Sequence, residues 1–128
     1  MNPALAGIWG APVVAHPARA FNTTFMPSAT RPTLVIYSVR VTCTQTPASG
    51  AQAGRIEIRS DAGSPPTTVQ AVMAGGQSGT LVAALTIVDA VGADLVYLVP
   101  EGHNVRIETV TEAGTPAYTL SRVTEITL

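Results

Sequence analysis

The residues of this chain that could do chemistry are few and widely separated. His16, His103 and Cys43 are its only histidines and cysteine, and no two of them are close in sequence. Zinc sites are usually written as Cys and His pairs a few residues apart, so a site here would have to be assembled from distant elements. "AGGQSG" (74–79) has neither the length nor the lysine of a phosphate-binding loop. "GQSGT" (76–80) puts Thr80 where the G-x-S-x-G nucleophile turn needs its last glycine. Glu57 stands between Arg55 and Arg59 at a spacing of two, which reads as a solvated charge ladder on one strand face and not as an acid/base pair. Asp61, Asp89 and Asp94 border turn-like stretches, where aspartate is favoured by its own backbone hydrogen bonds. No calcium-loop spacing connects them. The expectation is a protein that is not an enzyme, with no cofactor and no metal.

The elements that would have to position any site are strands. In "TLVIYSVRVTCTQ" (33–45), Val35, Tyr37, Val39, Val41 and Cys43 share one face, while Ser38, Arg40, Thr42 and Thr44 share the other. That alternation is the mark of a strand with one buried face, and it makes Cys43 a buried structural thiol. "GRIEIRS" (54–60) repeats the pattern with Ile56 and Ile58 inward. "TTVQAVM" (67–73), "TLVAALTIV" (80–88), "LVYLV" (95–99), "NVRIET" (104–109) and "AYTLSRVTEITL" (117–128) follow, separated by "AGGQSG", "VGAD", "PEGH" and "EAGTP" as turns. About seven short strands and no convincing helix predict an all-β fold. The architecture expected is a single antiparallel β-sandwich, of jelly-roll or immunoglobulin-like connection. Val39, Val41, Ile56, Ile58, Val105 and Ile107 are its expected core.

Composition narrows the function classes. A chain of 128 residues with 46% hydrophobic content is one domain that needs no disulfide or metal staple. Charged residues make up 12%, about half the usual share, and the net charge is −1. Its seven basic residues are all arginine and lie scattered, so no basic patch invites nucleic acid. Arginine also forms oriented, forked pairs at interfaces better than lysine does. No apolar run approaches the ~18 residues that span a membrane, and no secretory leader pattern opens the chain, which suggests synthesis in the cytoplasm.

Residues 2–21, "NPALAGIWGAPVVAHPARAF", fit none of this order. They carry prolines at 3, 12 and 17, the single tryptophan and many small residues, with no period of 2 or 3.6. The reading is an extended N-terminal arm over residues 1–30, followed by the β-sandwich domain over 31–128. Such an arm is expected to dock on another chain through Ile8, Trp9, Val13, Val14 and Arg19. Phe21 and Phe25 would fix its root. Tryptophan and other aromatics dominate contacts of that kind.

Four stretches carry a resemblance: "FNTTFMPSATRPTLVIYSVRVTCT" (21–44), "GRIEIRSD" (54–61), "VPEGHNVRIET" (99–109) and the closing "YTLSRVTEITL". Together they are similar to a family of small tailed-bacteriophage virion proteins, in which an aromatic and Pro lead-in precedes an "RPTLVxYSV" strand and a "VPxGxxVR" hairpin comes late. The likeness covers roughly residues 21–128 and departs at His103, where the family pattern has an aromatic. It implies a structural protein on the capsid surface of a virion, a decoration or cement protein. The implied partners are the major capsid protein and copies of itself, as a homo-oligomer (dimer or trimer). A tail or head-fibre component that attaches to a host is the alternative it implies. A sugar-binding sandwich would want more than the 5% aromatic content found here.

Overall fold

The computed structural model describes residues 10–77 and 85–128. Its described residues form eight strands and no helix: β1 (Val13–Ala15), β2 (Thr24–Phe25), β3 (Thr33–Gln45), β4 (Gln52–Asp61), β5 (Val69–Gln77), β6 (Ile87–Val99), β7 (Asn104–Ala113) and β8 (Ala117–Thr127). They make two antiparallel four-stranded sheets. Sheet A has the order β1-β8-β3-β6, and sheet B has the order β2-β7-β4-β5.

One core lies between the sheets, built by the period-2 faces read from sequence. β3 supplies Val35, Tyr37, Val39, Val41 and Cys43, and β4 supplies Ile56 and Ile58. Met73, Leu95, Val99, Val105 and Ile107 complete it from β5, β6 and β7. All six expected core residues are buried. β3 is the central strand of sheet A, paired with β6 along its whole length and with β8 on its other side. Covered on one face and flanked on both edges, it keeps that inner face apolar from Val35 to Cys43.

Three expectations are corrected. "VGAD" and the start of "AGGQSG" are not turns: Val91, Gly92, Ala93 and Asp94 lie inside the continuous thirteen-residue β6, opposite Val41, Arg40, Val39 and Ser38, and Ala74, Gly75, Gly76 and Gln77 end β5, opposite Arg55, Gly54, Ala53 and Gln52. Gly92 stays in the strand because the pairing with β3 runs through it without a break, and Arg40 opposite leans over it, with Nε 3.9 Å from where a Cβ would sit. The part of the expected strand at 80–84 lies outside the described residues. Second, Glu57 is not solvated. It is 4% exposed, roofed by the side chains of Arg55 and Arg59 that donate to its two oxygens at 2.6 and 2.8 Å.

The third correction concerns the arm. From residue 10 onward the segment lies on its own two sheets. β1 pairs with β8, Val13 opposite Thr127 and Ala15 opposite Glu125. β2 pairs with β7, Phe25 opposite Val105. A boundary at residue 30 therefore cuts through both sheets. The physical reason is backbone hydrogen bonding: β7 and β8 would otherwise each present an open edge there, and the early segment fills both.

Candidate protein-binding surface

Of the seven arm residues singled out for docking or for its root, Ile8 and Trp9 lie outside the described residues. The other five divide into two groups. Arg19, Phe21 and Phe25 face inward and bind their own chain. Arg19 forms a two-bond fork with Glu125, Nε to Oε2 at 2.9 Å and Nη2 to Oε1 at 2.8 Å. Its guanidinium also stacks on the Phe25 ring, 4.0 Å from the ring centre. Phe25 meets Tyr37 edge to face at 6.4 Å, and the buried Tyr37 hydroxyl donates to Glu125 Oε2 at 2.8 Å. Phe21 packs against the same core.

Between these anchors Asn22 takes a left-handed conformation, φ 60°, which asparagine tolerates better than most residues. Its amide exchanges two hydrogen bonds with Thr109, and its backbone N–H donates to the Ile107 carbonyl. Glu125 thus accepts three charge-assisted or hydroxyl bonds inside the fold. Burial, then Glu125 beside it, pushes the Tyr37 hydroxyl far above the ordinary tyrosine range. The Glu125 bond raises Arg19 as well. This cluster is a clasp, and its groups are occupied by one another. The assignment of Arg19 to a partner contact is corrected accordingly, and Phe21 and Phe25 lie on the chain's own core, the place expected for the root of the segment.

Val13 and Val14 are the second group, and both are exposed, Val14 at 60%. The register shows what Val14 joins. Val14 stands opposite Ile126, Ile126 opposite Leu34, and Leu34 opposite Leu98. An apolar row therefore crosses all four strands of sheet A on its outer face. Ile36 and Val96 thicken it by one more rung, and Pro32 and Pro100 flank a shallow hollow beside Leu98. Leu98 and Val96 are about half exposed, at 49% and 51%. Scattered exposed apolar side chains are ordinary, but a contiguous row is the mark of an interaction site. Sequence reading missed it, although the signal was present: in "TLVIY" the alternation fails, because Leu34 and Ile36 are apolar on the face that should be polar.

The outer face of sheet B is the opposite case. Glu57 and Glu108 stand directly across from each other on β4 and β7, a repulsive pairing of like charges. Arg55 and Arg59 bracket the first, Arg106 pairs with the second, and Arg55 also reaches Glu112. Burial works to raise the Glu57 carboxyl, but the hydrogen bonds from Arg55 and Arg59 outweigh it and hold it below its usual range. The centre of the face is a charge network, bordered on β5 by the exposed Val69 and Val72, and a partner docking over the charges would have to break their pairs.

The other residues with chemical potential stay apart. His16 Nδ1 lies 2.9 Å from the Val123 carbonyl, Cys43 is buried in the core, and His103 follows the turn between β6 and β7. Among the described residues no three His, Cys, Asp or Glu side chains come together. The serine of "GQSGT" lies outside the described residues. Tyr97 and Tyr118 are half-buried against the core. Comparison with family models, with curated proteins and with solved structures finds no match to this chain.

Proposed function

We propose that this protein is a non-enzymatic structural component of a tailed-phage virion, a jelly-roll that decorates and cements the capsid by binding the major capsid protein. The observation that carries the reading is the apolar row Val14–Ile126–Leu34–Leu98. It offers a flat, rigid, water-exposed strip one sheet wide, next to the point where the chain enters β1, and it is backed by a core that needs no ligand.

The strand order supports the architectural half of the proposal. β1 pairs with β8, β2 with β7, β3 with β6 and β4 with β5. That is the pattern of one long folded-back ribbon rolled into two sheets, the jelly-roll connection used by viral capsid domains, lectins and cupins. A shared fold does not carry function, so the weight rests on the surface. A cementing protein requires a stable body and one adhesive face, and the paired charges of sheet B leave the outer face of sheet A for that role.

The test is co-sedimentation of purified protein with shells that lack it. Leu98→Asp and Val14→Asp should fold normally and lose shell binding, whereas Val69→Asp, an exposed change on β5 of sheet B opposite Arg59, should bind as wild type. Equal binding by all three would end the proposal.

A further inference from the structure

The free edge of sheet A carries a second, separate surface, which follows from strand geometry and does not depend on the capsid reading. β6 hydrogen-bonds to β3 along one side, and among the described residues no strand pairs with its other side. An open edge of this length is a template for a further strand. Proteins usually blunt such edges with lysine, proline or short length. β6 runs for thirteen residues with neither lysine nor proline. Gly75 of β5 meets Val91 from the core side, beside Val41, and not along the hydrogen-bonding edge.

Two side chains give that edge a charge pattern. Arg40 stands opposite Gly92, and its Nε lies over the glycine, so the exposed guanidinium stretches toward the edge. Among the described residues it makes no ion pair. Asp94, two residues further along the same face, is exposed at the edge and accepts a bond from Ser38 Oγ at 2.6 Å. A positive and a negative group, offset by two residues on one strand edge, are self-complementary under an antiparallel two-fold.

We propose that a second copy of this chain docks here, β6 against β6, about a two-fold axis through Ala93. Asp94 of each copy then faces Gly92 of the other, the position that the other copy's Arg40 reaches across. Val88 faces Leu98, so two exposed apolar side chains also meet at each end. A slip of one residue would bring the outer face of one copy level with the inner face of the other. A register that set Asp94 opposite Asp94 would place like charges directly together. The result is one continuous eight-stranded sheet, and its two-fold symmetry closes the pair without leading to a fibre.

The experiment is sedimentation of the full-length chain over a broad concentration range, with three kinds of variant. Wild type should be a dimer. Arg40→Asp and Asp94→Arg should each weaken dimerisation by about tenfold or more, and the double exchange Arg40→Asp with Asp94→Arg should recover it. Ala93→Cys should cross-link under mild oxidation, because directly opposed residues in an antiparallel pair lie ~4.5–5.5 Å apart at Cα, within disulfide reach. Thr119→Cys on β8 is the control and should not cross-link. A wild type that is monomeric throughout, a double exchange that stays as weak as the singles, or equal cross-linking at 93 and 119 would each overturn the proposal.

Discussion

Arg19 and Glu125 are separated by 106 residues and meet through two parallel hydrogen bonds of 2.9 and 2.8 Å. The fork joins the segment before β2 to the last strand, and Glu125 is nearly out of water, with 6% of its side chain exposed. Removing the arginine leaves a buried carboxylate short of its main partner, a change that costs about 3 kcal/mol or more. Arg19→Met should therefore lower the urea midpoint by that equivalent, and Arg19→Lys should lose less, since it keeps the charge but not the fork. Deleting residues 1–20 should destabilise at least as strongly, because Arg19 and β1 go with it. Deleting residues 1–9 leaves both in place. An Arg19→Met protein as stable as wild type would show that the clasp contributes nothing.

Acid should loosen the loop between β4 and β5. Asp61 accepts backbone N–H bonds from Thr67, Gly63 and Thr68, and a hydroxyl bond from Thr68. Those bonds, led by the one from Thr67, hold its carboxyl well below the ordinary value of 3.8. A depressed native value means the stabilisation is fully present above 3.8 and is lost as pH falls toward the native value. The stability difference between wild type and Asp61→Asn should thus be widest near neutrality and shrink below pH 3.8, measured by urea unfolding at each pH. A difference that stays constant into acid would contradict the assignment.

Cys43 should behave as a core residue. Its side chain is almost fully buried, and burial, with Asp89 nearby, raises the thiol above its usual range. Both effects suppress the thiolate that alkylating reagents need. Labelling by a thiol reagent at neutral pH should be negligible in the folded protein and complete in denaturant, with the labelling curve tracking unfolding. Rapid labelling of the native protein would place the inward phase of β3 in error.

Gly54 should not accept a side chain. A Cβ there would lie 2.2 Å from the Tyr118 hydroxyl oxygen and 2.9 Å from two ring carbons. That hydroxyl is itself held by the Val110 carbonyl and by Thr111, so the ring has little freedom to retreat. Gly54→Ala should cost about 1–3 kcal/mol through overpacking, read as a shift in the denaturation midpoint. A neutral result would mean that Tyr118 moves freely.

The inward faces of β3, β4 and β7 were legible from the order of residues, because strand periodicity is local: each side chain points away from its neighbours whatever the rest of the chain does. The core list, the all-β character and the burial of Cys43 follow from that rule. The absence of any clustered ligand-type spacing is local information too.

Everything that joins distant strands required the tertiary structure. "VGAD" has the composition of a turn, and only its pairing with Val41, Arg40, Val39 and Ser38 on β3 keeps it inside a strand. The triplet Arg55, Glu57, Arg59 has the spacing of a solvated ladder, yet the two arginines close over the glutamate and take it out of water. The opening segment has no period because its partners lie 80 or more residues away on β7 and β8, and pairing energy of that kind leaves no trace in neighbouring residues. The apolar row on sheet A depends on three registers at once. Sequence determined which residues turn inward; only the folded chain decided which outward residues stand side by side, because cross-strand adjacency is set by long-range hydrogen bonding and by loop closure.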